Sequence, residues 1–305
     1  MSDQAESLRR LVRQLESRAG RRLAPAGRAA RPAGGRLIAV SGGKGGVGKS
    51  SLAVNLGLAM SATGRRVLLV DADLGLASLD VMLGVRAEYS LAEVALDDVP
   101  AERAVVRVAG GLDVLPGASG VAEMADLTPV RRQRLLAELT RLESRYSAIL
   151  LDTAAGAGEE VRAFLRAADA VIVVTSPEPT AITDAYALAK LLAAEGQTRL
   201  GSVVNMSRSR REGERVGARL CEVALKYTGA RIEQLGAVPF DWEMAAAVRE
   251  RRPVLLGRPR SAASNALRRV AARTWHWSQV RTAPRREAWG SRPGLAGVFA
   301  RTAGY

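Results

Sequence analysis

Ten consecutive residues concentrate the chemistry of this sequence: Ser41-Gly42-Gly43-Lys44-Gly45-Gly46-Val47-Gly48-Lys49-Ser50. Five of them are glycines, which let successive backbone N–H groups turn toward one point and form a nest that holds an anion. Lys49 adds a flexible point charge, and Ser50 adds a hydroxyl suited to a divalent cation. The spacing Gly43-x-x-x-x-Gly48-Lys49-Ser50 is that of a phosphate-binding loop, with Lys49 reaching the β and γ phosphates and Ser50 on Mg²⁺. Gly43, Gly45, Gly46, Val47, Gly48, Lys49, Ser50 and Ser51 are the predicted nucleotide contacts. Only four lysines occur in the chain, Lys44, Lys49, Lys190 and Lys226, and two of them sit in this loop. Arginine serves everywhere else, so Lys44 marks a place that needs a compact point charge rather than a planar fork.

Three carboxylates stand at the ends of apolar runs. Asp71 and Asp73 close the run that begins at residue 66, and their i,i+2 spacing in extended chain points both to one side. Asp152 ends the run 148–152. Phosphoryl transfer asks for positioned charge more than covalent chemistry, and acids beside a phosphate loop supply the metal and water side of it.

Elements of a definite kind must bring these groups together. Apolar runs at 36–41, 66–71, 112–116, 148–152, 170–175, 200–205 and 232–238 read as buried strands. Helical patterns fall at 50–63, 128–146, 180–194, 213–228 and 262–280. Strands apolar on both faces and separated by helices predict a doubly wound α/β domain, with a mostly parallel sheet covered on both sides. In such a sheet the phosphate loop and the strand-end acids share the carboxyl edge. The N-terminus reads differently. Residues 4–18 carry Ala5, Leu8, Leu11, Val12 and Leu15 at helical spacing, and 19–35 is a Pro- and Gly-rich linker. The predicted division is an amphipathic helix at 1–18, a linker at 19–35, a nucleotide-binding domain at 36–280 and a basic tail at 281–305.

Composition narrows the class. The 305 residues are enough for a large core without staples. The single cysteine, Cys221, excludes an internal disulfide framework and a cysteine-built zinc site, and a reducing cytosol is expected. The first residues lack a signal-peptide layout, and no run of about 18 apolar residues offers a membrane span. The net charge of +14 lies at the ends: residues 1–36 carry +6 and residues 251–305 carry +11, which leaves −3 for 37–250. Basic ends favour an acidic partner, a membrane surface or nucleic acid.

With Lys44 at its start, the loop resembles the deviant phosphate loop of the MinD/ParA ATPases, and the resemblance covers 36–256. It implies ATP and Mg²⁺ as cofactors and an ATP-sandwich homodimer. In that dimer Lys44 crosses the interface to the nucleotide of the other subunit and acts in catalysis. It further implies that Asp71 helps organise the Mg²⁺ shell, Asp73 orients or polarises the attacking water, and Asp152 binds Mg²⁺ directly or through water. Asn205, Pro239 and Asp241, at two neighbouring strand ends, would flank adenine. Two departures stand out. Ser78 occupies a position where relatives often have Asn, and Ala154-Ala155 replaces Gly-Ala, which is expected to alter γ-phosphate sensing.

The ends select a branch. Asp3-Gln4-Ala5-x-x-Leu8-Arg9 resembles the N-terminal motif of the FlhG (FleN/YlxH) branch, which controls flagellar number and placement. In that branch the segment stimulates an SRP-type GTPase, FlhF, with Gln4 acting at the partner's nucleotide site and Leu8 as an anchor. Flagellar switch-complex proteins and a flagellar transcription regulator are further implied partners, and DNA ranks behind these. The implied location is cytoplasmic, with reversible association at the inner face of the cell membrane, at a pole in some relatives. The tail 281–305 is the candidate membrane contact. A MinD-like division-site regulator or a ParA-like partitioning ATPase is the alternative reading.

Overall fold

A computed structural model describes residues 35–73, 77–97, 99–117, 121, 141–197 and 199–279. The chain divides into two units, Met1–Ala33 and Gly34–Tyr305. The N-terminal helix, the linker and the basic tail expected from the sequence lie outside the described residues, as does most of the helix expected at 128–146.

The elements follow in chain order: β1 Arg36–Ser41, α1 Lys49–Ser61, β2 Val67–Ala72, α2 Leu79–Leu83, α3 Leu91–Leu96, α4 Ala101–Ala104, β3 Val106–Arg107, β4 Asp113–Leu115, β5 Ala148–Thr153, α5 Glu159–Ala167, β6 Ala170–Thr175, α6 Pro179–Ala194, β7 Leu200–Ser207, α7 Arg210–Thr228, β8 Ile232–Pro239, α8 Trp242–Arg249, α9 Val254–Gly257 and α10 Ala262–Gln279. The sheet order is β3-β4-β2-β5-β1-β6-β7-β8. All pairings are parallel except β3 with β4. This is the doubly wound architecture predicted. The two-residue β3 and the helices α2, α3, α4, α5, α8 and α9 are not among the expected elements; each is nine residues or shorter and carries little period.

Alternation along each strand explains the two faces. In β1, Leu37 and Ala39 join one apolar cluster with residues of α3, α5, α6 and α7. Ile38 and Val40 join a second cluster with α1, α8 and α10. Both faces are dry, so β1 is buried along nearly its whole length. That rigidity suits the strand that carries the phosphate loop.

Candidate nucleotide site

Register assembles the site. β5 lies between β1 and β2, pairing Val40 with Asp152 and Asp71 with Asp152. Three segments separated by 30 to 110 residues in sequence thus end side by side at the carboxyl edge, where ligands of open α/β sheets bind.

The loop is fixed from several directions. Gly48 has φ 83° and serves as N-cap of α1, and Gly46 has φ 78°. Both lie in the left-handed region that glycine enters without steric cost. Gly156 N donates to Gly42 O at 3.0 Å, and Thr153 Oγ1 donates to Val40 O at 3.1 Å. Asn205 Nδ2 donates to Val47 O at 2.9 Å. Gly43 packs so closely on α6 that a Cβ there would stand 2.3 Å from Asp184 O. The crown at Gly45 and Gly46 is exposed.

Asn205 reaches the loop because β7 bulges. Val204 pairs with Ala237 and Ser207 with Pro239, so Asn205 and Met206 together oppose one residue, Val238. Met206 takes φ 57° to make the bend, and a bulge of this kind re-aims a side chain. Asn205 turns inward and is buried, while Met206 turns outward. Asn205, expected to flank adenine, stands near the end of β7 with its Nδ2 donating to the phosphate loop. Asp241, given the same role, is a double cap. Its Oδ1 accepts from Glu243 N at 3.0 Å and its Oδ2 from Ala263 N at 2.9 Å, joining the starts of α8 and α10. Pro239 ends β8 beside these residues.

The acids sit in an unusual field. Asp152 is 2% exposed, and burial pushes its carboxyl up to about 7. A hydrogen bond from Ser50 and the Lys49 ammonium oppose that shift, and the Asp71 and Asp73 charges add to it. Burial likewise raises Asp71 to about 6, against three backbone N–H donors. Those donors are Asp73 N at 3.2 Å, Ser78 N at 2.9 Å and Leu79 N at 3.1 Å. Through these bonds Asp71 ties the end of β2 to the start of α2. Gly117 makes room for it: a Cβ there would stand 3.1 Å from Asp71 Cγ. Lys49 is nearly buried; burial lowers its pKa, and Asp152 and Asp73 hold it up.

Three carboxylates against one ammonium leave excess negative charge at a desolvated edge. Asp152 Oδ1 is buried without a hydrogen-bond partner. A hard divalent cation answers both features, because it takes oxygen ligands and lowers the pKa of the acids it meets. The residues present therefore fit Mg²⁺, which Ser50 and Asp152 would hold with Asp71 behind them.

The same field predicts a pH dependence. A carboxyl whose pKa is raised by folding binds its proton more tightly in the native state. Its contribution is therefore complete at low pH and is lost as pH rises through the folded value. For Asp152 the window runs from 3.8 to about 7. In the absence of metal and nucleotide, Tm should fall across that window, and Asp152→Asn should flatten the profile and raise Tm at pH 8. A variant profile as steep as that of the parent protein would contradict this assignment.

Lys44 is held within its own chain. Its Nζ lies 2.9 Å from Glu178 Oε2 and 3.1 Å from Thr180 Oγ1, at the start of α6. No sequence pattern flagged Glu178 or Thr180, which lie more than 130 residues away. Gly117, Thr153 and Gly156 likewise meet the site across 46 to 114 residues, beyond the reach of any local pattern. The positions 78 and 154–155 have ordinary backbone roles in this structure. Ser78 contributes its backbone N–H to Asp71 and caps α2 without its side chain. The left-handed residue of the β5 loop is Gly156, with φ 93°, and neither Ala154 nor Ala155 has positive φ.

Comparison with known proteins agrees with this geometry. A family model described as ParA, NUBPL iron-transfer P-loop NTPase, matches residues 35–275. The antiactivator FleN of Pseudomonas aeruginosa is 40% identical over 243 residues, covering 79% of this chain and 87% of FleN. The flagellum site-determining protein YlxH of Helicobacter pylori is 33% identical over 218 residues, 71% of this chain and 74% of YlxH. Among solved structures, the septum site-determining protein MinD of Pyrococcus horikoshii, complexed with Mg-ADP, superposes with a TM-score of 0.66 at 28% identity. That match covers 78% of this chain and 95% of MinD. Phosphate loop, strand-end acids, sheet order and these similarities agree: the chain belongs to the ParA/MinD family of P-loop ATPases.

Proposed function

We propose that this chain is an ATP-driven switch that sets flagellar number and placement. The observation that carries the reading is the 40% identity to FleN over 243 residues, 79% of this chain. The likeness to YlxH supports it. The segment Asp3-Gln4-Ala5-x-x-Leu8-Arg9 extends it to a partner: the N-terminal helix stimulates an SRP-type GTPase of the FlhF kind.

In this reading the loop amides and Lys49 bind the triphosphate of ATP. Ser50 and Asp152 would hold Mg²⁺, with Asp71 supporting its shell, and the ion would supply charge neutralisation to the phosphates. Asp73, at the mouth of the acid cluster, orients the attacking water. Asn205 keeps Val47 and the loop in register while adenine lies toward the β7 and β8 ends near Pro239. ATP on two subunits draws them face to face, Lys44 leaves Glu178 and Thr180 for the partner's nucleotide, and hydrolysis returns the monomer.

The Lys44–Glu178 pair then opposes dimerisation, weakly. Both side chains are substantially exposed, 40% and 65%, and such pairs contribute about 0.2–1 kcal/mol. Each subunit of the dimer gives up one such pair, so Glu178→Ala should tighten the ATP-dependent dimer by at most about thirtyfold. Sedimentation of the parent and variant proteins with ATP checks this, and a weaker dimer would show that Glu178 serves the dimeric state instead.

The deciding experiment is GTP turnover by the SRP-type GTPase with full-length protein, with a form lacking residues 1–20 and with a 1–20 peptide. Stimulation by the full chain and the peptide, lost on truncation, is the expected result. No stimulation by any of them would leave the division-site reading in front, which the likeness to MinD supports. Among the described residues no helix is long and apolar enough to cross a membrane. The tail 285–305 is the proposed reversible contact with the inner membrane surface. Equal ATP-dependent liposome binding with and without it would remove that role.

A further inference from the structure

Away from the nucleotide edge, β8 is the last strand of the sheet, and among the described residues no strand pairs with its outer edge. Beside it opens a cleft of about 750 Å³ lined by Arg211, Glu214, Arg215, Gln234, Gly236 and Arg273, with Ala218 at its side. The cleft straddles the edge. A Cβ on Gly217 of α7 would meet Gln234 Nε2 at 2.5 Å, so Gln234 points to the α7 face. A Cβ on Gly236 would meet Val270 of α10 at 3.0 Å, so that position faces the other side. The change of face comes from the register shift between Ser202 and Val203, which leaves Leu235 as an extra residue and gives Gly236 a φ of 145°. A Cβ at Gly236 would be both strained and crowded, and its absence keeps backbone accessible at the centre of the cleft.

Charge there is one-sided. Glu214 is neutralised by Arg210, whose Nε lies 2.7 Å from Oε1. Among the described residues, Arg211, Arg215 and Arg273 have no acidic partner. Arg211 and Arg215 are one helical turn apart on α7, where like charges repel, and Arg273 faces them from α10. Unpaired edge backbone with guanidinium groups on either side is complementary to an extended chain that carries carboxylates.

We propose that this cleft docks an extended acidic segment of a partner protein, which adds as a strand to the outer edge of β8 and sets its carboxylates against Arg211, Arg215 and Arg273. Main-chain hydrogen bonds to the edge give the register, and the three arginines select acidic over neutral or basic segments. The site lies apart from the phosphate loop, so it is available to a second partner while ATP is bound.

A labelled peptide of alternating Glu and Val, followed by fluorescence anisotropy with the full-length protein, tests this. Replacing all three arginines (Arg211→Gln, Arg215→Gln, Arg273→Gln) should weaken binding by about tenfold or more. An equal loss of charge at exposed sites elsewhere (Arg86→Gln, Arg249→Gln, Arg260→Gln) should not. That control separates the cleft from general attraction to the basic ends. A peptide with the same charges but N-methylated at alternate residues should bind about tenfold more weakly, because it cannot pair with a strand edge. The bound peptide should also slow amide exchange in β8. If the triple variant self-associates through its bared edge, the single changes Arg215→Gln and Arg273→Gln, on different helices, must each weaken the peptide. Equal loss in the two triple variants, full binding of the N-methylated peptide, or no binding to the parent protein would overturn the proposal. So would arginine-dependent binding of a single-stranded DNA oligonucleotide with none of the peptide.

Discussion

Lys49→Ala is expected to lower ATP turnover by about 10²–10³-fold, the cost of removing one preorganised donor from developing transition-state charge. Lys49 is 9% exposed, so its ammonium acts at low effective dielectric, where it is worth most. The loss should reach further than turnover. Lys49 is one of the groups that hold the Asp152 carboxyl down against desolvation. Without it Asp152 keeps its proton to higher pH, and the Mg²⁺ dependence of residual nucleotide binding should become steeper between pH 6 and 8. Phosphate release and binding of a fluorescent ATP analogue at both pH values measure the two effects. Lys190→Ala is the control, because that lysine lies exposed on α6. Unchanged turnover in Lys49→Ala would remove the assigned site.

Gly48→Ala should weaken nucleotide binding through the backbone and packing of the loop, without touching a phosphate-binding side chain. At φ 83° an L-residue costs about 1–2 kcal/mol. Its Cβ would also stand 2.4 Å from Asn205 Nδ2, a separation that cannot persist. Asn205 would have to leave its 2.9 Å bond to Val47 O, and the loop would lose both its turn and its tether. Binding should weaken at least tenfold, about 1.4 kcal/mol. The fold should survive, since β1 and α1 are buried mainly through residues outside the loop. Combining Gly48→Ala with Asn205→Gly removes the clash but leaves the φ cost and the lost tether to Val47 O, so it should recover only part of the affinity. Wild-type affinity in Gly48→Ala, by calorimetry with ATP and Mg²⁺, would show that the loop tolerates a side chain where the structure allows none.

Much of this molecule was legible because its signals are local. The phosphate loop is contiguous, and each of its glycines, its lysine and its serine answers a steric or electrostatic need of bound phosphate. The main strands are legible for a similar reason. A central parallel strand is apolar on both faces, so six residues such as Arg36–Ser41 announce themselves without help from their neighbours. The strand-end acids follow once the architecture is parallel, since all strand carboxyl ends then share one edge.

What sequence could not supply is which neighbours the architecture brings within hydrogen-bond range. Asn205 became a loop tether, rather than a freely facing amide, because a two-for-one bulge in β7 turned it inward. Asp241 became a double cap because α10 starts against α8. Lys44 met Glu178 and Thr180 because α6 begins beside the loop. The raised carboxyls of Asp71 and Asp152 depend on burial depth, and the arginine cleft on the way α7 and α10 flank an open edge. A chain of this kind writes its chemistry into residue type and spacing, which act over a few bonds. Burial, register and pairing act through space across 20 to more than 130 residues, and only the folded sheet sets those distances.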